Sequence, residues 1–115
     1  MGRLTTHILD TAQGAPAANV SIRLYSLADG RTLLAETTSN ADGRTDQPLL
    51  EPDVMQSGRY ELEFDVGDYF RASGAAIDEP AFLDTVVIRF AVKATENYHV
   101  PLLASPWSYS TYRGS

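Results

Sequence analysis

The chain has no cysteine. Disulfides and thiolate metal sites are therefore unavailable to it, and cysteine usage says nothing about its redox compartment. Basic residues are scarce: nine Lys and Arg stand against fifteen Asp and Glu, a formal net charge of -6. The nine are scattered singly and build no patch, so no nucleic-acid partner is expected. No apolar run approaches the roughly 20 residues of a membrane helix, and none near the N-terminus has the form of a signal peptide. A cytoplasmic protein without a membrane partner is the expectation, unless a targeting segment has been trimmed. Internal repeats, low-complexity tracts and linkers are missing as well. No Gly-x-Ser-x-Gly elbow surrounds Ser105, Ser108, Ser110 or Ser115, so a serine triad is not supported.

What is present is an ordinary globular composition, 43% hydrophobic and 21% charged over 115 residues. That length and balance predict one domain, residues 1–115, with one core. The hydrophobic period is mostly two, the strand period. Leu4, Thr6 and Ile8 share one face of a first strand, and Thr5, His7 and Leu9 share the other. Gln13-Gly14-Ala15-Pro16 breaks it. Val20, Ile22 and Leu24 alternate with polar residues. Ala28-Asp29-Gly30 turns the chain into a strand from Arg31 to Thr38, and Asn40-Ala41-Asp42-Gly43 is a second strong turn. Residues Thr45 to Ser57, with Pro48 and Pro52, read as loop with room for one short edge strand. Tyr60, Leu62 and Phe64 alternate with Glu61, Glu63 and Asp65. Val66 to Ser73 fits two helical turns before Gly74. Val86, Ile88, Phe90 and Val92 mark another strand, and two more follow over Glu96 to Ala104 and Trp107 to Tyr112. About eight short strands and one short helix predict an all-β sandwich.

One strand departs from a monomeric sandwich. Tyr98, Val100 and Leu102 line one face, and His99, Pro101 and Leu103 line the other, so both faces are largely apolar. A sandwich strand normally wets its outer face. An oligomer is therefore expected, with both histidines of the chain, His7 and His99, in its interface.

Those two histidines are candidates for a general acid–base pair, since imidazole titrates near neutral pH. Residue pattern alone leaves open that both are structural, hydrogen-bonded within a sheet or interface. Two imidazoles without carboxylate or thiolate at ligand spacing make a weak metal signal, so no metal is expected. Arg44 follows the Asp42-Gly43 turn. It reads either as a solvated turn residue or as a fork for a planar anionic heterocycle. The terminal Tyr112-Arg113-Gly114-Ser115 is either a frayed end or a pinned one.

At its two ends the pattern is more specific. Leu4-Thr5-Thr6-His7-Ile8-Leu9-Asp10, with Gly14 and Pro16, resembles the opening of the 5-hydroxyisourate hydrolases. Tyr98-His99-Val100-Pro101-Leu102-Leu103-Ala104-Ser105-Pro106 and Tyr109-Ser110-Thr111-Tyr112-Arg113-Gly114-Ser115 resemble that family's closing signature. Asp42-Gly43-Arg44 matches its internal motif, and Gly58-Arg59-Tyr60-Glu61-Leu62 and Pro80-Ala81-Phe82-Leu83 fit its connecting pattern. One position differs: the family often has His-Tyr-His where this chain has Asn97-Tyr98-His99, and alignment on Val100-Pro101 puts His99 at the catalytic place.

The resemblance covers essentially the whole chain. It implies a transthyretin-like (prealbumin-like) β-sandwich and a homotetramer, a dimer of dimers, with active sites in an interface channel. It implies hydrolytic opening of the six-membered ring of 5-hydroxyisourate to 2-oxo-4-hydroxy-4-carboxy-5-ureidoimidazoline, in urate (purine) catabolism, without cofactor or metal. By the same resemblance, His7 is expected to be the base and His99 its orienting and proton-sharing partner. Arg44 would hold substrate ring oxygens, and Tyr112, Arg113, Gly114 and Ser115 would close the site. The alternative is a non-enzymatic carrier of the transthyretin kind, binding a hydrophobic ligand in the tetramer channel.

Overall fold

The computed structural model describes residues 2–115. Eight strands and one helix follow in chain order: β1 (Leu4–Asp10), β2 (Ala15–Pro16), β3 (Ser21–Ser26), β4 (Thr32–Thr38), β5 (Gly58–Phe64), α1 (Val66–Ala72), β6 (Val86–Val92), β7 (Tyr98–Ala104) and β8 (Tyr109–Thr111). They form two four-stranded sheets, β2-β1-β7-β8 and β4-β3-β5-β6. All pairings are antiparallel except β1 with β7, which run parallel although they come from opposite ends of the chain.

The period-two pattern sets which side chains meet. Leu4, Ile8, Val100 and Leu102 of the first sheet and Ile22, Leu24, Leu62, Phe64 and Val86 of the second are buried together between the layers. At about 25 cal/mol per Å² of apolar surface removed from water, such side chains supply most of the driving force. The helix closes one end through buried Val66 and Phe70.

Two segments behave differently from the sequence reading. Ala15 and Pro16 resume the sheet after the turn instead of only breaking it, pairing with Asp10 and Leu9. Gly14, at φ 67°, makes that reversal without side-chain strain, and Pro16 is tolerated because the strand lies at an edge. The segment from Thr45 to Ser57 forms no strand, but single bridges tie Leu50 to Leu4 and Arg44 to His7. The short β2 leaves most of that edge of β1 unpaired, and these loop residues cover it.

The outer face of the second sheet carries a charge ladder. Glu61 receives Arg89 Nε and Arg31 Nε, each at 2.9 Å, while Arg23 donates to Glu63 at 3.0 Å and through two nitrogens to Asp65 at 2.8 and 2.9 Å. Glu61 is thereby only 2% exposed. Burial alone would raise its carboxyl pKa. The hydrogen bonds from Arg89 and Arg31 outweigh burial and hold it below the usual carboxylate range.

Candidate active site

In the parallel register of β1 and β7, Thr5 lies opposite His99 and His7 opposite Pro101. His7 and His99 therefore sit two residues apart on adjacent strands and on one face, the half-buried face turned away from the core. Their ring centroids are 6.4 Å apart and the planes are tilted by 40°. That spacing separates the rings enough for a polar group to lie between them and keeps both within reach of one small molecule.

Arg44 is delivered by its turn. Asn40 Oδ1 accepts from the backbone N–H groups of Asp42 at 2.9 Å and Arg44 at 3.1 Å, and Asn40 N donates to Arg44 O at 2.7 Å. This is an Asx turn, closed by the side chain of its first residue. Gly43 takes φ 76°, and its carbonyl accepts from Ile8 N at 2.7 Å. A Cβ there would lie 2.4 Å from Ile8 O, so only glycine lets the turn press against β1. The result is a bridge between Arg44 and His7. Arg44 is exposed and forms no ion pair among the described residues. With Thr5, Thr6, Thr45, Asp46, Gln47 and Pro48 it lines a cavity of about 220 Å³.

His99 is half-buried, and its Nδ1 is 2.9 Å from Thr5 Oγ1. Burial, then the charges of Arg44 and His7, lower its pKa below the ordinary histidine value. A lowered pKa favours the neutral form of the ring. No group of three or more His, Asp or Glu side chains suited to a metal occurs among the described residues, and no helix is long and apolar enough to cross a membrane.

The terminal tetrapeptide divides. Gly114 pairs with His99 through both backbone hydrogen bonds, and a Cβ on it would stand 3.1 Å from His99 Cβ. Ser115 follows, exposed. Arg113 turns elsewhere: its guanidinium lies 4.4 Å over the Tyr98 ring and donates to Glu96 Oε1 at 2.9 Å and Asn97 O at 3.3 Å. Tyr98 occupies the opposite face of β7 from His99. Tyr112 borders a groove of about 410 Å³ on that same side, with Ile88, Phe90 and Val100. In the single chain, then, His7, His99, Arg44 and the Gly114 backbone come together, and the Tyr112 and Arg113 side chains do not join them.

Two contributors escaped the sequence reading. Asn40 was visible only as a turn residue, although its position four residues before Arg44 is the signal of its role. Thr5 shares a face with His7 in any strand alignment, but its contact with His99 depends on a parallel pairing that no local pattern announces. Asn97, at the position where His is frequent, accepts from Arg3 N at 3.1 Å and closes the start of the β1–β7 pair.

Architecture and site define a two-sheet β-sandwich with an imidazole pair and a guanidinium gathered on one half-buried sheet face. The chain matches the HIUase/Transthyretin family over residues 4–114 and belongs to that family. It is 55% identical to a 5-hydroxyisourate hydrolase of Ralstonia nicotianae over 117 aligned positions, covering all of both chains. Among solved structures it is similar to (S)-allantoin synthase, with TM-score 0.93 and 42% identity, over 99% of this chain and 44% of that longer one. It is similar also to Klebsiella pneumoniae 5-hydroxyisourate hydrolase, with TM-score 0.81 and 32% identity, over 98% and 99% of the two chains.

Proposed function

We propose that this protein hydrolyses 5-hydroxyisourate, opening its six-membered ring to 2-oxo-4-hydroxy-4-carboxy-5-ureidoimidazoline in urate breakdown. The observation that carries the reading is the convergence of His7, His99 and Arg44 on one face, in a chain 55% identical along its whole length to a 5-hydroxyisourate hydrolase. The bond to be broken is amide-like. Its hydrolysis needs an activated water, a partner for the developing oxyanion, and a proton for the departing nitrogen. His7 takes the proton from water and His99 orients and shares it. Arg44 binds the ring oxygens with its planar fork. Gly114 and Ser115 close the site beside His99, and Tyr112 and Arg113 contribute by holding the tail on its path. The chemistry calls for no metal or cofactor.

The site works within an assembly in this reading. Thr5, His7, Leu9, His99 and Leu103 are only half-buried in the single chain, and a neighbouring subunit would cover them. We assign a homotetramer, a dimer of dimers, with residues 1–115 of each chain acting as one domain. A pure carrier of hydrophobic ligands would have no use for two imidazoles and a guanidinium that forms no ion pair among the described residues, all on one face.

The test is direct. Urate is oxidised in situ and the decay of the hydroxyisourate absorbance is followed with and without the protein. Acceleration in proportion to protein concentration is expected. A decay rate that the protein leaves unchanged would overturn the assignment.

A further inference from the structure

Thr5 and its neighbour Thr6 point to opposite faces of β1 and use their hydroxyls differently. Thr6 donates to the carbonyl of Val100 at 2.7 Å, as Thr111 does to Pro101 at 2.7 Å. Thr5 Oγ1 instead meets a ring nitrogen, His99 Nδ1, at 2.9 Å, and has no other hydrogen-bond partner among the described residues. A hydroxyl has one proton to place, and Nδ1 is the acceptor within reach. A neutral imidazole that accepts at Nδ1 carries its proton on Nε2.

The surroundings agree. His7 faces the ring from β1 and Arg44 from its turn, and both disfavour a second positive charge on it. From the tail, Gly114 presents backbone. Arg113 is held away by Glu96.

We propose that Thr5 is a positioning residue: its hydroxyl donates to His99 Nδ1 and holds that ring as the Nε2–H tautomer, making His99 a neutral hydrogen-bond donor and leaving proton carriage to His7. The inference rests on the hydrolytic reading above and replaces the proton shared by the two imidazoles with a division of labour between them. Water oxygen bonds to the ring carbonyl carbon, and His7 takes the water proton. His99 donates a hydrogen bond to the carbonyl oxygen as its charge builds, without surrendering its own proton. The carbon–nitrogen bond then breaks, and His7 returns its proton to the nitrogen. A neutral imidazole is a poor acid but a good preorganised donor, which is the role this geometry prepares.

The experiment uses the intact protein with 15N-labelled histidine, alongside Thr5→Val, Thr5→Ser and His99→Asn. In the wild type, nitrogen shifts should show His99 protonated at Nε2. Thr5→Val should lower kcat roughly 10–100-fold, the usual scale for losing a partner that orients an active-site histidine, with KM changed less than about twofold. Thr5→Ser should restore most of the rate. Because the lost bond favoured the neutral ring, the His99 pKa should rise in Thr5→Val. A wild-type ring protonated at Nδ1, or a His99 pKa that falls in Thr5→Val, would reverse the donor and overturn the proposal. Wild-type kcat in Thr5→Val beside an inactive His99→Asn would also overturn it while leaving the hydrolytic site standing. Full activity in His99→Asn would remove the site itself. The wild-type tautomer decides the donor even if the valine variant folds poorly.

Discussion

Gly114 and His99 exchange two backbone hydrogen bonds, Gly114 N donating to His99 O at 2.7 Å and His99 N to Gly114 O at 3.1 Å. The chain's penultimate residue is thereby fastened to the strand that carries half of the imidazole pair. A Cβ at Gly114 would stand 3.1 Å from His99 Cβ and 3.3 Å from His99 Cδ2, so a side chain here must push the ring. Gly114→Val should lower activity by on the order of 10²-fold, since misplacement by about 1 Å costs that much. Deleting residues 112–115 should do at least as much damage. Tyr112, Arg113 and Ser115 are exposed and Gly114 has no side chain, so the melting temperature should change little. Matched activity and thermal melts on both variants check this, and wild-type rates would show that the tail is only frayed.

His7→Asn and His99→Asn should each remove most activity with the fold intact. Residues that act as one unit give non-additive losses, so the double variant should be little worse than either single. Steady-state rates of the three variants decide the point, and independent, multiplying losses would mean that the rings serve separate steps.

Arg44 acts on His99 through charge as well as on substrate. Its guanidinium is one of the causes that lower the His99 pKa, after burial and ahead of His7. A lowered histidine pKa keeps the ring neutral to more acid pH. The His99 ring, followed by its own NMR shifts, should therefore titrate below the ordinary histidine pKa of about 6.5. Arg44→Gln should lift that titration toward the ordinary value while reducing kcat/KM overall, and an NMR pH titration of the variant is the measurement.

Arg44→Lys tests shape against charge. Lysine keeps the positive charge but loses the planar fork. The lysine variant should be nearly as impaired as Arg44→Ala, while the His99 titration stays close to its wild-type position. Wild-type turnover in the lysine variant would mean that charge alone suffices.

Glu61 should matter for stability and not for catalysis. Its partners Arg31 and Arg89 are themselves substantially exposed, with side chains 47% and 70% accessible. Solvent screening thus limits the loss in Glu61→Ala to on the order of 1 kcal/mol, or roughly 4–8 °C in melting temperature for a domain of this size. The folded-state pKa values of Glu61 and Asp65 are both lowered, Glu61 by Arg89 and Arg31 against its burial, Asp65 by Arg23. Their contribution is thus complete above the unfolded carboxylate pKa, about 4, and is lost as pH falls through the lower folded values. Thermal melts from pH 7 down to 2 should show the Glu61→Ala difference shrinking with acid.

Much of the architecture was legible because strand burial has a period of two. The alternation in Leu4–Leu9, Tyr60–Asp65 and Val86–Lys93 assigns faces without any knowledge of partners, and the faces observed are those. The helix over Val66–Ala72 and the turn before Arg44 were legible for similarly local reasons. The two-residue β2 was not, because a glycine–proline pair reads as an interruption unless the edge it pairs with is known. Alternation with Tyr60, Leu62 and Phe64 puts Glu61 on the other face of its strand, and says nothing of its burial. Its burial comes from arginines on β4's entry turn and β6, folded over it across the sheet.

The residue identities themselves determined that this chain would be a β-sandwich with two imidazoles on an outward strand face, an arginine behind an Asp-Gly turn, and the signature of the 5-hydroxyisourate hydrolases at both ends. Only tertiary structure decided that the two ends are neighbours. The parallel pairing of β1 with β7 joins residues more than ninety positions apart, and its register alone puts Thr5 opposite His99 and His7 two residues further along. That register follows from packing Leu4, Ile8, Val100 and Leu102 into one core layer, since a slip of one residue would turn every side chain to the wrong face. The same packing sends Arg113 to Tyr98 and Glu96 and leaves Gly114 on His99. Such choices are made by contacts distant in sequence, which no local pattern can carry.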